Sequence, residues 1–181
     1  SAKVDALVDL LDLQQEARVF DAGCGKGELL ARIVERYGVT GFGVDSSPYA
    51  IRRAQTMVAV RMPDAPIRFQ QADITDIQIQ PDSLDLAICV GSTHLYGGLR
   101  QTIAALWPSV RPGGHILVGD LSWRQEPLPV LLAMFGIERD AYSDYAGTVL
   151  MTLEEGLNPV YSFVSSEEDW DRYEGLYRDS I

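Results

Sequence analysis

The sequence has few of the residues that build metal centres and covalent crosslinks. Its 181 residues include only two cysteines and two histidines. Cys24, Cys89, His94 and His115 do not follow the spacing of a zinc site or of a disulfide framework. We therefore expect no metal in this protein, and we expect it to lie in a reducing compartment, the cytoplasm.

Long apolar runs and an excess of positive charge are missing as well. No apolar stretch reaches about 18 residues without a charge or a proline, and no basic and apolar leader opens the chain, so membrane spanning and secretion are not expected. The 15 Lys and Arg against 26 Asp and Glu give a net charge of −11, whereas a protein that tracks nucleic acid needs a basic face. Residues 123–181 hold 4 basic and 12 acidic residues, and we interpret this acidic part as a solvated surface. Neither nucleic acid nor a membrane is expected as a partner.

Short β-rich runs alternate with segments of helical periodicity along the chain. This alternation is typical of an α/β fold with a doubly wound, mostly parallel sheet and helices on both faces. Residues 111–114, RPGG, are interpreted as the turn into the fifth strand. Strands are predicted at residues 18–21, 41–44, 67–70, 84–90, 115–119 and 160–164, and helices at residues 4–11, 26–37, 48–61, 99–107, 130–135, 144–155 and from 165 onward.

Glycine stands at every second position between the first strand and the following helix. Gly23, Gly25 and Gly27 follow Asp21 in the run DAGCGKG. Glycine permits a tight turn and a close approach of a ligand to the backbone, and the start of the next helix offers unpaired N–H groups. Asp45 ends the second strand, 20 residues after Gly25, where a carboxylate can accept ribose hydroxyls. Together these features predict a cofactor that contains a nucleoside.

Three kinds of nucleotide site have such a glycine-rich turn: a phosphate-binding loop, a dinucleotide site and a site for a nucleoside ligand with a zwitterionic, cationic part. A phosphate-binding loop requires GxxxxGK followed by Ser or Thr, and this run does not have that spacing. A dinucleotide site requires a small residue where Glu28 stands, and the carboxylate of Asp21 would repel a pyrophosphate. The same carboxylate suits the amino group of a zwitterionic, cationic ligand.

The glycine-rich run resembles motif I of the class I S-adenosylmethionine-dependent methyltransferases. Five motifs of this family occur in order between residues 18 and 118, and they include Asp45 and Asp73. The resemblance implies a Rossmann-like methyltransferase fold, S-adenosylmethionine as cofactor and S-adenosylhomocysteine as product. Further similarity to a group of small bacterial methyltransferases of largely unassigned substrate lies at residues 89–94, 97–98, 119–124 and 170–174.

The resemblance also implies which residues hold each part of the cofactor. Asp21 would lie near the ammonium group and Asp45 at the ribose. The other implied contacts are Gly23, Cys24 and Gly25 at the methionine moiety, Ser46, Asp73 and Ile74 at the adenine, and Val90 and Gly91 near the sulfonium.

The sequence departs from this family at both ends. The family closes its sheet with an antiparallel seventh strand, whereas nothing β-like follows residue 164, and the segment before the first strand is short. We therefore expect a single S-adenosylmethionine-binding domain over residues 1–181 that is shortened at one or both ends, or whose sheet edge is completed in another way. The seventh strand is expected to be missing.

The acceptor side of the site is less clearly marked. Methyl transfer from a sulfonium needs alignment more than a base, so the absence of a catalytic dyad is no objection. His94 is the candidate base because it follows the fourth strand, and a wall or hydrogen-bonding role fits it equally well. Tyr96, Asp120 and Trp123 are the candidate substrate contacts.

No Asn-Pro-Pro-Tyr or Asp-Pro-Pro-Tyr run follows the fourth strand, which argues against amino-methylation of DNA bases or protein glutamine. A small-molecule acceptor is therefore the working hypothesis. Two alternatives stay open. One is a module that binds S-adenosylmethionine or S-adenosylhomocysteine without turnover. The other is a nicotinamide-dependent oxidoreductase, which the Asp21 carboxylate, Glu28 and the absence of a Tyr-x-x-x-Lys pair disfavour.

Overall fold

The structure is a computed structural model that describes residues 2–162 and 164–166. It divides into two compact units, Ser1–Leu121 and Ser122–Ile181. The boundary falls next to the point at which the acidic part of the sequence begins. The expectation of one shortened domain over residues 1–181 stays a prediction.

The first unit carries a five-stranded parallel sheet, which confirms the predicted α/β class. Its strands lie in the order β3-β2-β1-β4-β5, and every neighbouring pair is parallel. In chain order the elements are α1 (Ala2–Asp9), β1 (Arg18–Ala22), α2 (Glu28–Tyr37), β2 (Thr40–Asp45), α3 (Pro48–Arg61), β3 (Ile67–Gln71), β4 (Leu84–Val90), α4 (Leu99–Leu106) and β5 (Val110–Gly119). Short 3-10 turns span Ile74–Asp76, Thr93–Tyr96 and Trp107–Ser109.

Each face of the sheet is covered by its own apolar core. Alternate residues of β1 point to opposite faces, so Val19 and Phe20 enter different cores. The first core joins the sheet to α1, α2 and α3, and the second joins it to α4 and the turn at Ile74–Asp76. The first includes Val8, Val19, Leu30, Ile33, Ile51, Val58, Leu86 and Ile88, and the second includes Phe20, Val44, Ile74, Leu84, Ala87, Cys89, Leu106 and Val110.

Local signals in the sequence account for the ends of the two helices nearest the glycine-rich run. Gly27 and Gly38 flank α2 in the left-handed conformation, with φ of 73° and 68°. The predicted start of this helix at residue 26 was therefore two residues too early. The Ser47 Oγ accepts a hydrogen bond from the N–H of Ala50 at the start of α3, and Pro48 takes the first helical position, as predicted.

Residues 111–114 are part of a strand and not the predicted turn. Leu84 pairs with Val110 and Leu86 pairs with His115, so these four residues form a bulge within β5. The Arg111 guanidinium forms an ion pair with Asp85 of β4, which holds the bulge against the sheet. Gly114 therefore serves a close strand approach, because a Cβ at this position would lie 2.9 Å from the carbonyl oxygen of Asp85.

The second unit is helical in the part that the structure describes. It contains α5 (Pro129–Phe135) and α6 (Tyr145–Glu154), close to the predicted helices, with Asp144 capping α6 through the N–H of Gly147. The predicted sixth strand is wrong for the described residues 160–162 and 164, which have no regular structure. Val160 is 82% exposed, so its β-branched side chain gains little of the packing that stabilises a strand. Ser165 and Ser166 are not helical, and the rest of the predicted last helix lies outside the described residues.

No helix within residues 2–162 and 164–166 is long and apolar enough to cross a membrane.

Candidate functional site

The candidate residues of the first unit collect at the carboxyl edge of the sheet. β1 lies between β2 and β4, and the direction in which successive strands are added reverses between β1 and β4. Ligands of doubly wound sheets bind outside the strand ends at this reversal. Asp21, Asp45 and Val90 stand at or next to the ends of these three strands. The predicted cofactor residues are therefore brought to one edge.

Backbone hydrogen bonds fasten the glycine-rich loop to the end of β2. The N–H groups of Gly23 and Cys24 both donate to the carbonyl of Val44, at 2.8 and 2.9 Å. The N–H of Gly25 donates to Oδ2 of Asp45 at 2.8 Å. The loop therefore takes its position from the strand that carries the predicted ribose-binding carboxylate.

The three glycines of the loop have different roles. All have positive φ, which favours glycine. A Cβ on Gly23 would lie 2.3 Å from the Ser92 hydroxyl, and a Cβ on Gly27 would lie 2.6 Å from the Phe69 ring, so both are needed for packing. A Cβ on Gly25 would meet nothing within 4 Å. Open space therefore lies over the backbone of Gly25, as a ligand that approaches this backbone requires.

The Asp45 carboxylate is held by two backbone donors. Its Oδ1 accepts the N–H of Ser47 at 2.8 Å, while Oδ2 accepts the N–H of Gly25. Each carboxylate oxygen can accept more than one hydrogen bond, so both oxygens retain capacity for a hydroxyl donor. The two bonds fix the orientation of a carboxylate that is suited to a pair of ribose hydroxyls.

The Asp21 carboxyl is buried and has no hydrogen-bond donor among the described residues. Asp21 is 4% exposed and pairs in the sheet with Gly43 of β2 and Ile88 of β4. Burial, and to a smaller extent the charge of the neighbouring Asp45, together raise the pKa of Asp21 to about 7. A buried carboxyl without a donor is costly when ionised, so this position is suited to a cationic group from a ligand.

Neither Cys24 nor Cys89 has the lowered thiol pKa of a nucleophile. Burial is the main cause that raises the pKa of the Cys24 thiol above its ordinary value, with Asp21 and Asp45 adding to it. Burial likewise raises the pKa of Cys89 to about 12. Both side chains are therefore thiols at neutral pH, and Cys24 contributes surface to the site rather than chemistry.

The predicted adenine contacts lie in a turn after β3 and in the loop after β2. Asp73 Oδ1 accepts hydrogen bonds from the N–H and the hydroxyl of Thr75, which lower the pKa of Asp73. Asp73 and Ser46 are exposed. Ile74 is 3% exposed and packs in the second core, so its side chain supports the turn and does not present an open surface.

The end of β4 forms the other wall of the site. Val90 is 44% exposed, and a Cβ on Gly91 would meet nothing within 4 Å, so this strand end is open. The Ser92 hydroxyl donates to the carbonyl of Gly23 at 3.2 Å and links this wall to the glycine-rich loop. Ser92 was not singled out from the sequence. The signal available there was a small polar residue directly after the glycine that ends β4.

The acceptor candidates occupy different settings. His94 is exposed on the turn at Thr93–Tyr96, and Tyr96 is partly buried there, with burial as the main cause that raises its pKa to about 12. Asp120 follows β5, and its Oδ1 accepts the N–H of Leu121. These three residues belong to the first unit.

Trp123 belongs to the second unit. Its Nε1 donates to the carbonyl of Arg139 at 3.1 Å, and its ring meets the Tyr142 ring edge to face with centroids 5.8 Å apart. These contacts hold the indole within its own unit. Its role as an aromatic wall for the acceptor stays a prediction.

The residues present fit S-adenosylmethionine. The backbone of Gly25 is open, the Asp45 carboxylate is oriented for a diol, and the buried Asp21 carboxyl lacks a cation. Among the described residues, no group of three His, Cys, Asp or Glu side chains could hold a metal ion. The parallel sheet and this set of residues define a Rossmann-like methyltransferase.

Comparison with known proteins identifies the family. A family model described as a methyltransferase domain matches residues 19–114, more than half of the chain. The chain belongs to this family and is a class I S-adenosylmethionine-dependent methyltransferase. The family confirms the resemblance drawn from the motifs, and it decides for an enzyme with S-adenosylmethionine as cofactor over the two alternatives.

The chain is similar to several bacterial proteins. A methyltransferase from Geobacter sulfurreducens, crystallised with S-adenosylhomocysteine, superposes with a TM-score of 0.89 at 28% identity, over 96% of this chain and 70% of that one. The uncharacterized protein YjhP of Escherichia coli is 29% identical over 174 residues, which are 95% of this chain and 70% of YjhP. The uncharacterized methyltransferase Rv0089 of Mycobacterium tuberculosis is 34% identical over 115 residues, 63% of this chain and 55% of that protein.

Proposed function

We propose that the protein transfers the methyl group of S-adenosylmethionine to a small-molecule acceptor by in-line displacement. The observation that carries this proposal is the arrangement of three features at one sheet edge. These are the open backbone of Gly25, the doubly bonded carboxylate of Asp45 and the buried, donor-free carboxyl of Asp21. They match, in this order, the methionine moiety, the ribose hydroxyls and the ammonium group of the cofactor.

Each part of the cofactor would be held by a different strand end. S-adenosylmethionine supplies a sulfonium with an electrophilic methyl group. Gly23, Cys24 and Gly25 would lie against the methionine moiety and Asp21 would pair with its ammonium group. Asp45 would accept the ribose hydroxyls. The adenine would lie beside Ser46, Asp73 and Ile74, and the sulfonium near Val90 and Gly91.

Catalysis would come mainly from alignment. Effective molarities of about 10⁵–10⁸ M show how much rate positioning supplies when two reactants are held in line. His94 stands on the turn after β4, where an exposed imidazole could accept a proton from the acceptor. Tyr96, with its pKa raised to about 12, is a neutral phenol at neutral pH and would donate a hydrogen bond rather than act as a base. Asp120 and Trp123 are the further candidates for acceptor contacts.

The charge of the chain and two named relatives support a small acceptor. The net charge of −11 disfavours the binding of a polyanion. Trans-aconitate 2-methyltransferase of Deinococcus radiodurans is 32% identical over 119 residues. The 27-O-demethylrifamycin SV methyltransferase of Amycolatopsis mediterranei is 27% identical over 137 residues. Both names denote small-molecule acceptors.

A screen for acceptor-dependent product tests the proposal. The protein is incubated with S-adenosylmethionine and pools of small metabolites, and S-adenosylhomocysteine is quantified with and without each pool. We expect at least one pool to raise product formation, and we expect Asp45→Ala to abolish that rise. Transfer of methyl groups to nucleic acid or protein, with no small molecule active, would contradict the proposal.

The cytoplasm is the proposed location because Cys24 and Cys89 are free thiols. Fractionation of cells that express the full-length protein tests this assignment, and recovery in an oxidising compartment would contradict it.

A further inference from the structure

The two carboxyl groups at the cofactor edge differ in how they are satisfied. Asp45 accepts two backbone N–H bonds at 2.8 Å. Asp21 accepts none from the described residues, although only 4% of its surface is exposed. A carboxylate that accepts hydrogen bonds is stabilised in its charged form, and a largely buried carboxylate without protein donors lacks this stabilisation. The charged form of Asp21 therefore lacks the hydrogen bonds that the carboxylate of Asp45 receives.

Among the residues that the structure describes, no positively charged group acts on Asp21. The titratable groups that act on it or respond to it are Asp45 at the end of β2, Cys24 in the glycine-rich loop and Cys89 in β4. Asp45 is an acid, and both thiols are neutral at neutral pH because burial raises their pKa values. A positive charge at this position therefore has to come from a ligand.

We propose that Asp21 is protonated in the cofactor-free protein and exchanges this proton for the ammonium group of the cofactor. Asp21 would thereby select adenosine ligands that carry an amino-acid part, and it would make their affinity depend on pH. The inference rests on the proposed function, which lays the ammonium group beside Asp21.

The exchange is balanced as an acid–base step. The O–H bond of the Asp21 carboxyl breaks and its proton passes to the buffer. The resulting carboxylate accepts an N–H hydrogen bond from the ligand's ammonium group. No electrons are transferred and no other reactant is needed.

The direction of the pH effect follows from the free and bound states. Burial raises the pKa of Asp21 to about 7 in the free protein, and pairing with a cation lowers it in the complex. Binding at about pH 6 therefore releases close to one proton, whereas binding at about pH 7.5 releases only a fraction. The affinity should rise roughly five- to tenfold between these two pH values. Above about pH 8 the ligand's own amino group loses its proton, and the affinity should fall again.

Calorimetric titration with two ligands tests the inference without knowledge of the acceptor. S-adenosylhomocysteine carries the amino-acid part, and 5′-methylthioadenosine carries the same adenosine without it. Each is titrated at about pH 6 and about pH 7.5, in two buffers of different ionisation enthalpy, so that proton release is measured directly. The proteins are the wild type, Asp21→Asn and Asp64→Asn, the last of which changes an exposed acid in the loop between α3 and β3.

We expect proton release and the five- to tenfold rise only for S-adenosylhomocysteine with the wild type and with Asp64→Asn. Asp21→Asn should bind S-adenosylhomocysteine with an affinity that changes less than about twofold over this range, because asparagine has no proton to exchange. Methylthioadenosine should show no pH dependence with any of the three proteins.

Two results would overturn the inference. One is the same proton release in Asp21→Asn as in the wild type, and the other is an equal pH dependence for methylthioadenosine. If Asp21→Asn does not fold, the comparison of the two ligands on the wild type still decides. Failure of the wild type to bind S-adenosylhomocysteine at any pH would instead contradict the proposed function, so the two failures are distinguishable.

Discussion

The N–H of Gly25 donates a hydrogen bond of 2.8 Å to Oδ2 of Asp45, across 20 positions of sequence. This bond joins the loop after β1 to the end of β2. The surface assigned to the methionine moiety and the carboxylate assigned to the ribose are therefore held together before any ligand arrives. A site that is preorganised in this way loses little conformational entropy on binding.

Replacement of Asp45 by alanine should weaken binding at two points. Asp45→Ala removes the ribose acceptor and also releases the N–H groups of Gly25 and Ser47. Hydrogen bonds to a charged group contribute about 1.5–3 kcal/mol each, so we expect the dissociation constant for S-adenosylhomocysteine to rise at least about tenfold. Calorimetric titration measures this, with the exposed Asp64→Ala as the matched control. An unchanged constant in Asp45→Ala would remove the ribose assignment.

A pair of glycine substitutions distinguishes the loss of space for a ligand from the backbone strain of a residue with positive φ. Gly25 and Gly113 both have positive φ, of 53° and 82°, and a Cβ on either would meet nothing within 4 Å. Alanine at each position should therefore cost a similar amount of stability, about 1–2 kcal/mol. Only Gly25→Ala places a methyl group where the cofactor would lie, so only this variant should bind S-adenosylhomocysteine more weakly, by about tenfold. Equal affinities for the two variants would show that the space over Gly25 is not used.

The elements that could be predicted from the sequence are those whose signals are local. β4 was predicted with the bounds that the structure has, because Leu84–Val90 is an apolar run of strand length. The start of α3 was predicted from Ser47 and Pro48, which are a side-chain cap and a residue with a fixed φ. The cofactor edge followed from the positions of Asp21 and Asp45 at the ends of consecutive parallel strands.

The features that were missed depend on partners distant in sequence. The RPGG run at residues 111–114 has the composition of a turn, and only the register of β5 against β4 shows that it bulges within a strand. The Ser92 hydroxyl donates to the carbonyl of Gly23, 69 positions away in the sequence, and no periodicity predicts such a hydrogen bond. The donor-free state of Asp21 is equally invisible in the sequence, because it requires knowledge of every neighbouring N–H group.

The pH dependence of the free energy of unfolding, measured without ligand, should show that Asp21 is buried. Its pKa rises from 3.8 to about 7 on folding, so between these values the folded state holds a proton that the unfolded state has lost. The stability that this group contributes is present at low pH and is lost as the pH rises to about 7, by at most about 4 kcal/mol. Asp21→Asn has no proton to lose. We expect urea denaturation to show that the wild type loses stability relative to Asp21→Asn between about pH 4 and pH 7. Parallel pH profiles of the two proteins would contradict this burial.

Asp85 should stabilise the opposite edge of the sheet without affecting the site. Its Oδ2 accepts the N–H of Arg18 at 2.7 Å, and its Oδ1 pairs with Arg111. We expect Asp85→Ala to lower the free energy of unfolding by about 1–3 kcal/mol, since a largely buried acceptor is lost. Arg111→Ala should cost less than about 1 kcal/mol, because the arginine is half-exposed. Denaturation and titration together check this, and a loss of S-adenosylhomocysteine affinity in Asp85→Ala would count against the assignment of the site to the carboxyl edge.

The most direct test of the account is calorimetric titration of the wild-type protein with S-adenosylhomocysteine, S-adenosylmethionine and NAD under the same conditions. We expect one site that binds both sulfur ligands and shows no measurable heat with NAD. Tight binding of NAD, with no response to either sulfur ligand from a folded protein, would contradict the assignment of the Asp21, Gly25 and Asp45 edge to S-adenosylmethionine.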